Sequence, residues 1–131
     1  MSTLNVATIQ ALSTNTTPTI KDSAGTEIGK FCRAYLRYNM QNNTIFGSFN
    51  VSSVTDNGTG VCTVNFTNAF TSATSYSAHV LGNGEVGNGA HHYPCTFFGD
   101  VEAGSFKIAF FRNENSNDRT DQARSFFSFF E

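Results

Sequence analysis

The chain has 131 residues, which is enough for one domain around one core. Eight scattered Lys and Arg stand against ten Asp and Glu, for a formal net charge of -2, so the electrostatic attraction that nucleic acids and anionic membranes require has no visible source. Fourteen phenylalanines, no tryptophan and only 14% charged residues, among many Ser, Thr, Asn and Gly, favour β-structure with polar loops.

Neither a signal peptide nor a membrane-spanning helix is predicted. No apolar run precedes Lys21, the first lysine, and no stretch of about 18 apolar residues occurs in the chain. Cys32, Cys62 and Cys95 cannot all pair within one chain, and their spacing matches no zinc pattern. We therefore expect a protein made and folded in a cytoplasm, with reduced cysteines buried as small apolar side chains.

Residues 1–30 hold few large side chains, and these are spread among Ser, Thr and Asn. They predict an extended N-terminal arm, with a strand-like piece near Thr19–Lys21 and a turn at "DSAGT". The arm carries too little apolar bulk to pack on its own. Residues 31–131 are therefore predicted to form the folded domain.

From Phe31 the pattern changes to period two, which is typical of half-buried strands. In "FCRAYLRY" one predicted face holds Cys32, Ala34, Leu36 and Tyr38. The other face holds Phe31, Arg33, Tyr35 and Arg37. After a turn at "QNN", the stretch "TIFGSFNVSSVT" predicts one strand in which Ile45, Phe49 and Val51 share a face, with a bulge at Gly47.

"DNGTG" at Asp56–Gly60 predicts a hairpin turn, because Asn and Gly accept positive φ. Its second strand, "VCTVNF", points Cys62, Val64 and Phe66 one way. In the next strand, "SYSAHVL" groups Tyr76, Ala78 and Val80.

A Gly/Asn-rich loop follows at Gly82–Ala90. We expect this region to present a ligand-facing set of Asn83, Glu85, Asn88 and His91. The alternative is that the loop is only a long hairpin connection. "GNGEVGNG" is not a Rossmann phosphate loop, since no helix pattern follows it.

The remaining segments also alternate. "HHYPCTFFG" predicts an edge strand, because Pro94 lacks an amide donor. "GSFKIAFF" predicts Phe106, Ile108 and Phe110 inward, with Ser105, Lys107 and Ala109 outward. With the final strand, "QARSFFSFF", the sequence predicts an all-β fold: a small antiparallel β-sandwich of about seven strands with an extended N-terminal arm and no amphipathic helix.

The final strand carries phenylalanine on both faces. Alternation places Ala123, Ser125, Phe127 and Phe129 on one side, and Arg124, Phe126, Ser128 and Phe130 on the other. A two-sheet domain covers only one face of each strand. We therefore predict an oligomer interface that includes Phe31, Phe111, Phe126 and Phe130. The alternative is that the arm or a loop covers Phe126 and Phe130 within one chain.

No metal, cofactor or catalytic site is predicted. His91 and His92 would point to opposite faces of a strand, and His91 and Cys95 would lie about 13 Å apart, whereas zinc ligands converge within about 2.0–2.3 Å of one ion. His79 could be added to this group. Asp100, Glu102 and Glu85 lie near these histidines in sequence and Ser105 is close, so a hydrolytic triad could be drawn from them, but no local motif frames a nucleophile.

One part of the chain resembles a known group. The stretch from about Thr17 to Phe66, above all "KDSAGTEIGKFCRAYLRYN" and "GSFNVSSVTDNGTGVCTVNF", resembles a repeated type of tail-fibre and virion-surface protein of tailed bacteriophages, especially cyanophage-like ones. "MSTLNVATIQ" is similar to their short N-terminal piece. Tyr35 stands where that group usually has tryptophan, and Cys62 where it usually has tyrosine. Both changes keep an apolar side chain.

The resemblance implies a virion structural subunit, either a tail-fibre module or a capsid-surface decoration. It implies a homotrimer in which the N-terminal arm attaches the subunit to other virion proteins or to neighbouring subunits. The β-domain would point outward and could adhere to a host-surface glycan. The alternative reading is a monomeric carbohydrate-binding module that uses Tyr35, Tyr93, His91 and the Asn-rich loops. A hydrolase would need a convergent catalytic group, and none is evident in the sequence.

Overall fold

The structure is a computed structural model that describes residues 8–9, 18–83, 93–111 and 119–131. Within these ranges the regular elements are strands, and no helix occurs that is long and apolar enough to cross a membrane. In chain order the strands are β1 (Ile20–Lys21), β2 (Glu27–Gly29), β3 (Cys32–Asn39), β4 (Thr44–Phe49), β5 (Val51–Asp56), β6 (Val61–Phe66), β7 (Ser77–Asn83), β8 (Tyr93–Val101), β9 (Ser105–Phe111) and β10 (Arg124–Phe130).

The chain divides into two compact units, Met1–Phe31 and Cys32–Glu131. In the first unit β1 and β2 form an antiparallel hairpin. The carboxylate of Asp22 closes its turn by accepting hydrogen bonds from the backbone N–H groups of Ala24 (2.9 Å) and Thr26 (2.8 Å). The predicted strand piece and turn are therefore present. The described part of the predicted extended arm pairs with itself.

The second unit is a sandwich of two four-stranded antiparallel sheets, as predicted. The first sheet has the strand order β4-β3-β10-β7, and the second has the order β5-β6-β9-β8. The predicted edge position of the strand that contains Pro94 is confirmed, because β8 ends the second sheet. β10 lies inside the first sheet, between β3 and β7.

The prediction of one continuous strand in "TIFGSFNVSSVT" is wrong. Asn50 adopts a left-handed backbone with φ of 56°, and the chain leaves the first sheet after β4 and enters the second sheet as β5. The side-chain amide of Asn50 stabilises the backbone at this point. It accepts a hydrogen bond from the backbone N–H of Asn68 (2.8 Å) and donates one to the backbone carbonyl of Asn68 (3.0 Å). This break gives eight sandwich strands instead of about seven. The bulge predicted beside Gly47 is confirmed, since the register shifts between Ile45 and Gly47.

The inward faces of both sheets meet in one core, and most of the predicted inward positions are confirmed. Phe129 is fully buried at its centre, with its ring centroid 4.9 Å from that of Phe66 and 5.3 Å from that of Phe106. Edge-to-face pairs of this kind add about 0.5–1.5 kcal/mol beyond area burial. The core comprises Ala34, Leu36, Tyr38, Met40, Cys62, Val64, Phe66, Phe70, Phe106, Ile108, Phe110, Phe127 and Phe129.

Ala109 corrects the predicted face pattern of β9. It was expected to point outward, yet it is only 1% exposed, and its cross-strand neighbour Val61 is 3% exposed. A backbone segment at residues 119–121 returns to this end of the sheet, where the N–H of Thr120 donates to the carbonyl of Phe110 (3.1 Å). The outer face of the second sheet is therefore not uniformly solvent-facing, and alternation alone misplaces a small residue at such a point.

Gly60 makes that return possible. Its N–H donates to the carboxylate of Asp121 (2.6 Å), and its φ is 69°. A Cβ at this position would meet the backbone N of Thr120 at 2.6 Å and the carbonyl O of Phe110 at 2.8 Å. These are backbone atoms of paired segments, so they cannot move aside without breaking the pairing.

We predict that Gly60→Ala destabilises the domain more than Gly58→Ala. Both glycines have positive φ, which costs a non-glycine residue about 1–3 kcal/mol, but a Cβ at Gly58 meets nothing within 4 Å. Gly60→Ala should therefore lower the free energy of unfolding by about 1–3 kcal/mol more than Gly58→Ala does, because its Cβ overpacks the site. Urea unfolding of the two variants measures the difference. Equal losses would mean that residues 119–121 do not pack against Gly60.

The second prediction concerns alkaline pH. Burial raises the pKa of the Cys62 thiol from 9.0 to about 12, and burial likewise raises the pKa values of Tyr38 and Tyr76 from 10.0 to about 12. These groups lose their protons more easily in the unfolded chain. Keeping them protonated therefore adds to the free energy of unfolding fully below about pH 9, and this contribution is lost as the pH rises toward 12. Denaturant unfolding at several pH values should show stability falling above pH 9. Unchanged stability up to pH 11 would contradict the burial of these groups.

Candidate interaction surface

β10 has two apolar faces, and the structure confirms how its residues divide between them. Phe127 and Phe129 point into the core. Phe126 points away from it and is 41% exposed, while Phe130 is half-buried with its ring centroid 5.5 Å from that of His79. The described chain therefore leaves the Phe126 ring partly in solvent, although β10 is an interior strand.

Phe126 belongs to a larger set of exposed side chains on the outer side of the first sheet. Strand register places it directly opposite Arg37 on β3 and Leu81 on β7. Tyr35 and Phe49 are also opposite each other, with ring centroids 6.3 Å apart and an interplanar angle of 26°. We call the "apolar face" the set of Tyr35, Phe46, Phe49, Leu81 and Phe126, which are between 41% and 69% exposed.

The area of the apolar face is comparable to that of the larger apolar patches on single proteins. Five large side chains at about half exposure leave roughly 500 Å² in solvent. The largest apolar patch on a typical monomer is about 300–600 Å² and is often functional. The apolar face therefore lies near the upper end of that range.

A shallow hollow of about 180 Å³ opens on the same side of the sheet. It is lined by Arg37, Phe46, Arg124, Ser125 and Phe126. Within the described residues, no carboxylate pairs with either guanidinium group. The hollow thus combines two aromatic rings with two positive charges that lack a counter-ion there.

The third arginine of the first sheet has a different role. Arg33 stands at a register irregularity between β3 and β10, and its guanidinium lies 5.0 Å from the centroid of the Phe70 ring. It forms an ion pair with Glu131, whose carboxylate also accepts from the N–H of Thr71 (2.8 Å) and from the hydroxyl of Ser75. Arg33 therefore helps to fix the end of β10.

The four phenylalanines predicted for an interface do not form one surface. Phe126 and Phe130 share the outer side of the first sheet. Phe111 belongs to β9 in the second sheet, where it is half-buried and the guanidinium of Arg119 lies 6.0 Å from its ring centroid. Phe31 ends the first unit of the chain.

Most of the predicted ligand-facing set lies outside the described residues. Asn83 ends β7, whereas Glu85, Asn88 and His91 fall in residues 84–92, which the structure does not describe. Of the two tyrosines suggested for sugar binding, Tyr35 lies on the apolar face, and Tyr93 begins β8.

The residues considered for metal or acid–base chemistry have structural contacts where the structure places them. In the described ranges no group of three His, Cys, Asp or Glu side chains is positioned to hold a metal ion. The carboxylate of Asp100 pairs with the ammonium of Lys107 at 2.9 Å, and Ser105 and Glu102 exchange backbone hydrogen bonds in the β8–β9 turn. His92 and Glu85 lie outside the described residues.

No family model, curated protein or solved structure matches this chain at a significant level. What the chain does must therefore be argued from its own surface. On that surface the apolar face, with its two arginines, is the most distinctive feature of the described residues.

Sequence reasoning missed three members of the apolar face as surface residues. Phe46 and Phe49 were read within one long strand, and Leu81 was left unassigned beside the inward set of its strand. Leu81 could have been found, because it is out of phase with Ala78 and Val80. The proximity of all five side chains depends on the strand order, which the sequence does not show.

Proposed function

We propose that this chain is a structural subunit of a bacteriophage virion, a tail-fibre module or capsid-surface decoration, that works by assembling with copies of itself. The observation that carries the proposal is the exposed apolar face on a regular four-stranded sheet. The likeness of residues 17–66 to virion-surface proteins supplies the biological setting. In that setting the oligomer is a homotrimer, and the first unit contacts other virion proteins.

The size of the apolar face suits a protein–protein interface. A standard interface buries about 800 Å² on each partner, of which about 57–65% is apolar. The roughly 500 Å² of the apolar face matches that apolar share. At about 25 cal/mol per Å², burying it contributes about 12 kcal/mol before the cost of association. That cost is about 4–15 kcal/mol, so the area buried on the second partner also matters.

Carbohydrate binding by a single chain is the second candidate. It is favoured by the open hollow beside Phe46 and Phe126 and by the exposed, stacked rings of Tyr35 and Phe49. Flat rings on a sheet could hold a sugar ring, and a host-surface glycan would suit an adhesive virion protein. This candidate requires that the chain bind a sugar on a glycan array and that Tyr35→Ala abolish the binding. It also requires that the wild-type chain have the mass of a monomer. An array without binding would remove it.

We predict that the purified chain has a mass near three chains at micromolar concentration. Phe126→Ala combined with Leu81→Ala should shift the protein toward monomers, because both side chains lie on the apolar face. The free energy of unfolding of the single chain should change little in this variant, since neither side chain reaches the core. Light scattering measures the mass, and denaturant unfolding measures the stability.

The matched control is Phe127→Ala combined with Phe129→Ala, on the opposite side of the same strand. These rings are buried, and each truncation should cost about 3–5 kcal/mol. This variant should chiefly unfold the domain. A wild-type monomer would overturn the proposed function, and equal effects of the two pairs on mass and stability would mean that the two faces of β10 act alike.

A further inference from the structure

The apolar face carries positive charge and no negative charge. The four strands of the first sheet, β3, β4, β7 and β10, contain three arginines and no Asp or Glu. Arg33 is already paired with Glu131. Arg37 and Arg124 remain, and both line the hollow beside Phe126.

This charge pattern disfavours contact between two identical faces. A two-fold interface brings the same patch of both subunits together. Here it would gather four guanidinium groups, two from each copy, around a contact to which the strands of the first sheet add no carboxylate. Like charges juxtaposed across an interface oppose association, and a desolvated charge without a partner adds to the cost.

We propose that the apolar face docks onto a different, carboxylate-bearing surface of a second copy, the counter-surface, so that the contact joins unlike surfaces. The inference rests on the proposed function, because it specifies how the copies meet. Phe126 and its apolar neighbours supply buried area. Arg37 and Arg124 receive carboxylates, which Arg binds with directional, charge-assisted hydrogen bonds.

The chain offers suitable carboxylates away from the first sheet. Asp56, at the end of the edge strand β5, and Glu102, in the β8–β9 turn, are exposed and form no ion pair within the described residues. Asp56 accepts hydrogen bonds from the N–H of Gly58 (2.8 Å) and the side chain of Asn43 (3.1 Å). These bonds lower its pKa, so it carries its charge at neutral pH.

Contacts between unlike surfaces have a structural consequence. Each copy offers one apolar face and one counter-surface, so addition continues until a ring closes, or a fibre grows if it does not close. A two-fold dimer is not a product of this arrangement. A closed ring of three is compatible with it, and so is the trimer expected for a virion-surface subunit.

A mixing experiment on the full chain distinguishes the two kinds of contact. Phe126→Asp combined with Leu81→Asp disables the apolar face but leaves every other surface intact. Alone, this variant should be monomeric. Carrying an affinity tag and mixed with untagged wild-type chain, it should still capture wild type, because the wild-type apolar face can dock onto the variant's counter-surface. If identical faces met each other, the variant would capture nothing.

A second variant tests the charges without changing the apolar side chains. Arg37→Glu combined with Arg124→Glu should weaken self-association at least tenfold, whereas Arg37→Lys combined with Arg124→Lys should weaken it less, because the charge is kept. Wild-type association should also weaken between 0.05 and 0.5 M NaCl, on the order of tenfold, because salt screens charge pairs that are not fully buried. Circular dichroism checks that each variant is folded.

The outcomes separate the two proposals. Wild-type chain that stays monomeric at high micromolar concentration overturns the proposed function, and this contact with it. Wild-type chain that associates but is not captured by the face-disabled variant overturns the contact between unlike surfaces alone. A dimer of limiting mass overturns that contact and also the trimer expected under the proposed function. Association that strengthens when both arginines become glutamate also overturns the contact between unlike surfaces.

Discussion

The structure depends on one strand that is apolar on both sides. β10 lies between β3 and β7, where Phe127 and Phe129 complete the core and Phe126 stands on the outer surface. A slip of one residue would exchange the two faces. The buried hydroxyl of Ser125 opposes such a slip by donating a hydrogen bond to the carbonyl of Tyr38 (2.9 Å). The side that stabilises the domain and the side available for association are therefore fixed by the same register.

The two sheets differ in what they offer to the outside. On the second sheet, Asn65 spans Ser53 and Thr55 with side-chain hydrogen bonds of 3.1 and 3.0 Å, which satisfies its polar groups within the chain. The first sheet instead presents large apolar side chains and two arginines without a carboxylate partner in the described residues. Among the residues that the structure describes, it is thus the first sheet whose outer side combines exposed apolar side chains with arginines that have no carboxylate partner. That asymmetry is the basis for assigning association to it.

Much of the fold could be predicted from the sequence, because its strands alternate regularly. The inward sets of β3, β6 and β10 follow from period two, and Pro94 indicates an edge strand. The failures occur at single residues. Asn50 was read as part of one strand, yet Asn tolerates positive φ and here it carries the chain to the other sheet, and Ala109 is buried at a point to which a segment far away in sequence returns. Such events depend on tertiary contacts, which a local pattern does not encode.

The candidate surface was only partly predictable for the same reason. An exposed Phe126 follows from alternation in β10, but its neighbours Arg37 and Leu81 come from strands that are distant along the chain. The absence of acidic residues from the first sheet is visible in the sequence only once its strands are known to form one sheet. The strand order is therefore what shows that these single exposed residues form one surface, and that this surface is positively charged.

Hydroxyl-radical footprinting of the full chain tests most directly whether the apolar face is covered by self-association. The account predicts that Tyr35, Phe49 and Phe126 are oxidised readily in dilute protein and become protected as the concentration rises, while the core residues Phe127 and Phe129 remain protected throughout. Equal oxidation of Phe126 at all concentrations, in protein that remains folded, would contradict the account.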